Sequence, residues 1–409
     1  MIAQHTETPG SANDVHLGCA ASKLRNVGAL LAVIGIGVAA FVTLGAENGV
    51  RHFMHAYLLA FSYALSITLG ALFFVLLHHL VRAGWSTTVR RIAELLTAAF
   101  PVLFILFLPI LGSVMAGKPV LFPWADVQLM HDDHLLHKKI AYLNANFFAV
   151  RAAIYFGLWT LLAVYFRKKS IAQDAAPSAE LSLSMQRVSA PGMIAFALTT
   201  TFAAFDFIMS LTPTWFSTIF GIYFFAGCLV SFFATAILLM VSLQASGRLT
   251  AYVTIERFHD LGKFLFAFTF FWGYIAFSQF MLIWYANIPE ETEWFLHRLN
   301  HGWAYASLAL LFGHFIIPFV GLMSRHAKRN RKVLTFWAGY MLLMHWLDLY
   351  WLVMPAYDAE TPVFGAAELG STIGFVGVLI ACFAHAGRNV SLVAANDPML
   401  SESLSLQNQ

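Results

Sequence analysis

The residues best suited to chemistry in this sequence are histidines and carboxylates inside long apolar segments. His345 and Asp348 lie three positions apart in the segment 333–354, so on a helix they share one face. His314 lies near the middle of the preceding segment, 302–322. An imidazole titrates near neutral pH, so beside a carboxylate it can pass protons. The three residues predict a proton relay. Two alternatives stay open: hydrogen-bonded core histidines, or one b-type haem between His314 and His345.

Other polar residues extend this prediction over the depth of a bilayer. Asp260 and Lys263 share a face at one end of the segment 261–288, and Glu94 is predicted at the same level. These three groups either line a proton entry or are side chains that reach from a helix end to the interface. The full predicted path consists of Glu94, Asp206, Asp260, Lys263, His314, His345 and Asp348. Ser278 and Gln279 are predicted to line it or to hydrogen-bond between helices.

Arg151 and Asp206 lie at matched depths in successive apolar segments. Each is about five residues from the same end of its segment, a depth of roughly 8 Å. A lone charge in hydrocarbon costs about 2.5 kcal/mol or more, so the two residues predict an ion pair. The pair serves either as a structural tie between helices or as part of a proton path or quinol-like pocket.

Cysteine and histidine usage excludes several cofactors. The three cysteines, Cys19, Cys228 and Cys382, form no CxxC pair and no C-x-x-C-H motif. The sequence therefore predicts neither an iron–sulfur cluster nor a covalent c-type haem. His131, His134 and His137 have a spacing that could bind zinc or copper. Lys138 and Lys139 follow them, which favours a solvated contact surface for a partner, so we predict no metal site.

Composition points to an all-α integral membrane protein. The chain is 59% hydrophobic and only 11% charged, whereas an ordinary soluble domain is about 25% charged. Ten apolar segments are long enough to be spanning helices: 26–44, 53–80, 91–111, 146–166, 191–211, 215–243, 261–288, 302–322, 333–354 and 371–385. The loop 112–145 is predicted to hold short helices, and the Ala-, Ser- and Gln-rich stretch 167–190 is predicted to be a flexible linker.

The basic residues predict the orientation. With both termini inside, 17 of the 24 Lys and Arg residues lie on the inner side, 5 lie on the outer side, and Arg151 and Lys263 fall within segments. This bias puts both termini in the cytoplasm. The chain then divides into a cytoplasmic tail (1–22), a ten-helix membrane domain (23–388) and a second cytoplasmic tail (389–409). The net charge of +3 gives no reason to expect nucleic acid.

Four stretches resemble one known family. They are HDLGKFLFAFTFFWGYIAFSQFMLIWYANIPEETEW (259–294), TFAAFDFIMSLTPTWFSTIF (201–220), DHLLHKKIAYLN (133–144) and DLYWLVMP (348–355). Together they resemble the ActF membrane subunits of bacterial alternative complex III, a quinol-oxidising respiratory assembly. The resemblance runs from about Phe53 to about Gly387. Long strings of polar and aromatic residues at fixed places are unlikely to arise by chance in apolar sequence, so the resemblance is specific.

The resemblance implies an NrfD/PsrC-like fold, with two four-helix bundles plus two extra helices, in the bacterial inner membrane. It implies a scaffold and proton conduit without a redox centre of its own. The implied partners are an NrfD-like paralogous membrane subunit, an iron–sulfur subunit, a multihaem c-type cytochrome subunit, a terminal oxidase and lipids. A quinone or quinol is a candidate ligand that the resemblance assigns to the paralogue in preference to this chain. A secondary transporter or channel, and a b-type haem cytochrome, remain alternative functions.

Overall fold

The computed structural model describes residues 15–407, and helices are the only regular elements within that range. Ten of them are long. They are α1 (Cys19–Leu44), α2 (Gly49–Leu80), α3 (Gly84–Met115), α4 (Ala145–Ala175), α5 (Ala179–Leu211), α6 (Phe220–Ala245), α7 (Ile255–Ala286), α8 (Trp303–Met323), α9 (Arg331–Val353) and α10 (Ala366–Ala386). Shorter helices include Val127–Asp132, His134–His137, Pro289–Leu299, Arg325–Arg329 and Leu400–Ser405. The prediction of an all-α architecture is confirmed for the described residues.

Nine helices in the described part of the chain are long and apolar enough to cross a membrane. The long helix outside this group is α9, which carries Arg331, Lys332, His345 and Asp348. Its polar residues lower its mean hydropathy, yet Leu334, Ala338 and Met341 along it are fully buried. The helices therefore suit a multi-pass membrane protein, and the one long helix outside the group of nine carries two of the candidate relay residues.

Helix α2 lies at the centre of the bundle. Nearly all of its side chains from Met54 to Leu76 are buried, which is unusual for a 32-residue helix. It packs against α5, α6, α9 and α10. Because α2 is enclosed by protein, the polar side chains that it carries face other helices and not lipid. They must therefore find hydrogen-bond partners or water inside the bundle.

Hydrogen bonds made by arginines near the starts of helices mark the two ends of the bundle. At one end, Arg257 donates to the carbonyl oxygen of Trp85 at 3.1 Å. At the other end, Arg51 donates to the carbonyl oxygen of Ala356 at 2.8 Å. We call the first the basic end, because most connecting segments rich in Lys and Arg lie there, and the second the acidic end.

Two predictions about the connecting segments have opposite outcomes. The loop 112–145 holds the short helices Val127–Asp132 and His134–His137, as expected. The stretch 167–190 is not a flexible linker, because α4 continues to Ala175 and α5 begins at Ala179. Ala, Gln, Glu, Lys and Arg are good helix formers, and here that propensity outweighs the polar composition.

The C-terminal segment folds back across the basic end. Leu392 has no exposed surface, and its N–H donates to the carbonyl oxygen of Val15 at 2.7 Å. Asp397 forms a buried ion pair with Arg90 of α3. Part of the predicted C-terminal tail, 389–409, is therefore packed on the long helices.

Glycines allow α1 and α10 to touch along their backbones. The residues are Gly28 and Gly35 on α1, and Gly370, Gly374 and Gly377 on α10. A Cβ atom on Gly35 would lie 2.5 Å from the Gly370 carbonyl oxygen and 2.5 Å from the Gly374 nitrogen. Small residues at helix interfaces in membranes let backbones approach and pack by dispersion.

We expect Gly35→Val to destabilise the protein by about 1–3 kcal/mol, because the added side chain meets backbone that cannot rotate away. The midpoint temperature of thermal unfolding in detergent would measure the loss. Gly37→Val on the same helix is the matched control, since a Cβ atom there meets nothing within 4 Å. Equal midpoints for the two variants would contradict close α1–α10 packing.

Candidate functional site

His314 of α8 and His345 and Asp348 of α9 meet inside the bundle. One nitrogen of each histidine and one carboxylate oxygen all lie within 4.8 Å of one another. Both histidines have no exposed surface, and Asp348 is 2% exposed. The shared face of His345 and Asp348 could be expected from their spacing, whereas packing of α8 on α9 brings in His314. We call these three residues the buried cluster.

The hydrogen bonds of Ser66 fix which nitrogen of His345 carries the proton. Ser66 Oγ lies 2.8 Å from His345 Nε2, and its own hydroxyl hydrogen is donated to the Tyr63 carbonyl oxygen at 2.8 Å. Ser66 must therefore accept from Nε2–H, which leaves a lone pair on Nδ1. That Nδ1 atom is buried and has no hydrogen-bond partner among the described residues.

His314 lies in an irregular part of α8. The helix takes π form over Leu310–Ile316 and continues as α-helix on both sides. Short π segments are rare and are frequent at functional sites. Both ring nitrogens of His314 are buried without a hydrogen-bond partner in the described structure. An imidazole left in this state is a strong indication that the site holds a proton, water or ligand.

Two aromatic side chains hold Asp348 in place. The Tyr223 hydroxyl donates a hydrogen bond to Asp348 Oδ1, and Trp272 Nε1 donates to Oδ2 at 3.1 Å. The Trp272 ring also lies against the imidazole of His314, with centroids 3.8 Å apart. Tyr223 and Trp272 thus orient the carboxylate and cover one side of the buried cluster.

An apolar cavity of about 470 Å³ lies between α7, α8 and the helix Pro289–Leu299. Tyr223 and Trp272 form part of its wall, together with Gln279 and Phe295. The cavity also reaches Phe277, which is 62% exposed. An apolar chain could therefore enter from the outer surface of the bundle and reach the residues that bind Asp348.

No protein-family model matches this chain, and no curated protein matches it. The chemistry of the site therefore follows from its own residues. A carboxylate and two imidazoles this close can exchange a proton directly or through one water molecule. Burial in a low-dielectric interior favours states in which the cluster carries little net charge.

Arg151 and Asp206 are in direct contact, as their matched depths predict. Arg151 Nε lies 2.8 Å from Asp206 Oδ2, and its second nitrogen lies 2.8 Å from Oδ1. Tyr155 donates to the same carboxylate at 2.7 Å, and the guanidinium donates to the Tyr142 carbonyl oxygen at 2.8 Å. A bidentate pair with its other groups satisfied favours the structural alternative over the proton path.

The ionisable residues predicted at the basic end form two separate groups. Glu94 pairs with Arg91 at 3.1 Å, and it is 1% exposed. Asp260 pairs with Arg257 at 3.1 Å and with Lys263 at 2.7 Å. The Lys263 side chain is 47% exposed, which fits a side chain reaching out from a helix end better than one lining a buried path.

The two predicted polar lining residues of α7 differ in position. Gln279 is buried, and it accepts a hydrogen bond from Ser217 at 3.1 Å. Ser278 is only half-buried and donates to the Tyr274 carbonyl oxygen of its own helix at 2.7 Å. Gln279 therefore forms part of the cavity wall, whereas Ser278 does not join the buried polar groups.

The three histidines predicted to share a helical face in the loop 112–145 do not share one continuous helix. Asp133 separates the helices Val127–Asp132 and His134–His137 and caps the second of them. The rings of His131 and His137 still lie 5.5 Å apart, on the exposed surface. This arrangement is compatible with the contact surface that the sequence suggests.

Arg298 positions the helix Pro289–Leu299 at the acidic end. Its guanidinium is 3% exposed and donates to the carbonyl oxygens of Trp294, Trp351 and Leu352 at 3.1 to 3.2 Å. Burial lowers the pKa of Arg298 well below its usual range, whereas nearby Tyr223 raises it. Because two of these carbonyls belong to the last turn of α9, Arg298 stabilises the helix that carries Asp348.

Sequence reasoning missed four residues that shape the buried cluster. They are Ser66, Tyr223, Gly227 and Trp272. A Cβ atom on Gly227 would lie 2.8 Å from the His345 ring, so only glycine lets α6 approach this closely. All four lie inside apolar segments and resemble ordinary core or interface residues. The sequence offers only a weak indication of their role, which is that a serine, a tyrosine or a tryptophan needs a polar partner when it is buried in a bilayer.

Proposed function

We propose that this protein is an integral membrane subunit of a quinol-oxidising respiratory complex and conducts protons through its buried cluster. Electrons in such a complex pass from quinol to a cytochrome c or terminal oxidase. The observation that carries the proposal is the set of unpartnered imidazole nitrogens beside Asp348. Isolated ionisable groups are costly in a membrane core, so a cluster of three is expected to have a function. The resemblance of four sequence stretches to the ActF family supports the assignment to a quinol-oxidising complex.

The proposal includes ten spanning helices in the bacterial inner membrane: the nine apolar helices and α9. Both termini lie in the cytoplasm. It also includes an NrfD/PsrC-like arrangement of two four-helix bundles with two extra helices. The partners are a paralogous NrfD-like subunit, an iron–sulfur subunit and a multihaem c-type cytochrome, with a terminal oxidase as the electron acceptor. The long buried interfaces of α2 suit a second role as a scaffold.

The arrangement around the buried cluster disfavours a haem. A porphyrin between two axial histidines needs a flat, wide slot. Here the Asp348 carboxylate lies within 4.8 Å of both imidazoles, and the Trp272 ring lies against His314. A divalent cation is disfavoured by charge, because the single carboxylate of the buried cluster would leave a net positive charge in the core.

A transporter is the second alternative from the sequence. Secondary transporters often bind substrate at helices that are unwound near mid-membrane. In the described structure, α8 changes to π form at Leu310–Ile316 but continues without unwinding. The site is therefore better suited to protons than to a larger polar substrate.

The apolar cavity favours a further role for the same site. It could hold the tail of a quinol, with the ring near Tyr223 and Gln279. This role would give the chain a quinol site in addition to the one that the resemblance assigns to the paralogue. Asp348 would then take up protons released on oxidation.

Purification through an affinity tag after Gln409 tests this proposal. We expect multihaem c-type cytochrome and iron–sulfur signals to co-purify with the chain in mild detergent, and no haem to remain once the partners are removed. Quinone extracted from the isolated chain would support the cavity role. A chain that purifies alone, from cells that contain such partners, would contradict membership in the complex.

A further inference from the structure

We propose that one face of α2 is the proton outlet from the buried cluster to the acidic end. The face carries His52, His55, Ser62 and Ser66, which we call the α2 stripe, and it ends at Glu368 of α10. The inference rests on the proposed proton-conducting function, and it assigns the route that protons take from the cluster.

Helical geometry aligns the four residues. At about 100° per residue, positions 52, 55, 62 and 66 fall within about 80° of one another around the axis of α2. They cover fourteen residue steps, or about 21 Å along the helix, which is most of the distance from the middle of the bundle to its acidic end. The stripe on this central helix therefore runs between these two places, with the buried side chain of Leu59 on the same face between His55 and Ser62.

The stripe begins at the buried cluster itself. Ser66 Oγ accepts the Nε2–H of His345 at 2.8 Å and also lies 3.4 Å from the hydroxyl of Ser231. Ser66 has no exposed surface. The serine is therefore the first group beyond the cluster on this face of α2.

The middle of the stripe contains acceptors that nothing in the described structure satisfies. Ser62 Oγ is buried without a hydrogen-bond partner, and so is Nε2 of His55. His55 Nδ1 lies 2.8 Å from the Arg51 carbonyl oxygen, so Nδ1 carries the hydrogen and Nε2 has the lone pair. Unpaired buried polar atoms cost about 1–3 kcal/mol each, a cost that bound water would remove.

The stripe ends at a histidine–carboxylate pair that reaches solvent. His52 Nε2 lies 2.6 Å from Glu368 Oε1. Glu368 is fully buried, whereas the His52 side chain is 20% exposed. The rings of both His52 and His55 pack against Tyr357, which places the two imidazoles next to each other. His52 is thus the group through which the stripe can exchange protons with the outside.

The same face of α2 is apolar on the other side of Ser66. Continuing at about 100° per residue, the stripe would pass through Gly70, Phe73 and Leu77, none of which can carry a proton. The polar stripe therefore extends from the buried cluster toward the acidic end only. This asymmetry gives the route a direction, as a half-channel requires.

Proton transfer along the stripe balances without any co-reactant. Once Asp348 has taken up a proton, it passes that proton through a water molecule to His345 Nδ1, which has no direct hydrogen-bond partner, and His345 releases the proton on Nε2 to Ser66 Oγ. Ser66 then releases its original hydroxyl hydrogen, which it had donated to the Tyr63 carbonyl oxygen, to a water molecule. Rise along the helix separates Ser66 from Ser62 by about 6 Å and Ser62 from His55 by about 10.5 Å, so water must bridge both gaps.

Cysteine accessibility tests whether the stripe holds water. In a chain whose three native cysteines are replaced by Ala, we expect Ser62→Cys to react with silver ions, which are small thiol-specific probes, added at the acidic end. Thr68→Cys is the matched control, because Thr68 is equally buried but lies on the opposite face of α2. We expect the Ser62→Cys thiol to react at least about tenfold faster, since only a wetted thiol can ionise. Equal rates would overturn the proposal.

Proton translocation tests whether the stripe conducts. In the assembled complex in vesicles, we expect Ser62→Val to reduce outward proton release at least about tenfold, by blocking the relay. Thr68→Val, with the same loss of a hydroxyl, should leave release unchanged. Unchanged release in Ser62→Val would overturn the outlet. If Ser62→Cys reacts with silver ions but the separately measured wild-type complex releases no protons at all, the proposed function is contradicted, while the wetted stripe stands.

Discussion

Asp348→Asn is expected to abolish proton translocation by the assembled complex while quinol oxidation in detergent continues. Asn has nearly the same shape and can still bond Tyr223 and Trp272, because the Tyr223 hydroxyl can turn to accept from the amide. It cannot take up a proton, however, and the only carboxylate of the buried cluster is lost. Positioned acid–base groups contribute about 10²- to 10⁴-fold, so we expect at least a hundredfold loss in coupled proton movement.

The measurement is the proton-to-electron ratio of vesicles that contain the complex, with a pH-sensitive dye outside. Asp132→Asn is the control, because Asp132 is exposed in the loop 112–145 and far in sequence from the buried cluster. A normal ratio in Asp348→Asn would show that the cluster has a purely structural function. A complex that fails to assemble would instead show in the yield of purified partners, and Asp348→Glu would then be the variant to measure.

All three members of the buried cluster are named from the sequence as one relay, but spacing along a helix explains the contact of only two of them. The spacing of His345 and Asp348 puts them on one face of any helix, so that part holds regardless of packing. His314 reaches them because of how α8 is oriented about its axis. That helix includes a π turn, which no local sequence pattern predicts. Tyr223 and Trp272 lie among many apolar and aromatic residues, so their role depends on contacts that only the packed structure defines.

The long helices are easier to predict, since length and hydropathy decide them. Their ends are harder, because propensity and packing compete there. The stretch 167–190 has a polar composition, yet both flanking helices extend into it. The C-terminal segment has no apolar run, yet Leu392 is buried and Asp397 pairs with Arg90. Such docking depends on partners far away in sequence, which a periodicity argument does not include.

The ion pair of Arg151 and Asp206 is expected to stabilise the protein strongly as a unit. Replacing one partner leaves the other charge buried, since Arg151 is 6% and Asp206 is 1% exposed. We expect Arg151→Met and Asp206→Leu to cost about 3–5 kcal/mol each. The double variant removes both charges together, and the apolar side chains fill a similar volume. Its cost should therefore be well below the sum of the two single costs.

Thermal unfolding of the four proteins in detergent measures this coupling as a double-mutant cycle. Direct contacts of this kind give interaction energies of about 0.5–3 kcal/mol, and the bidentate geometry places this pair near the upper value. Recovery in the double variant should be incomplete, because Tyr155 loses the carboxylate that it bonds at 2.7 Å and Tyr142 loses the guanidinium at its carbonyl. Adding Tyr155→Phe should therefore recover a further part of the lost stability.

Arg187→Met is the control, since Arg187 lies exposed on the same helix as Asp206. If the cost of the double variant equals the sum of the two single costs, the two charges are solvated independently. The bidentate pair would then not be the interaction that holds α4 and α5 together.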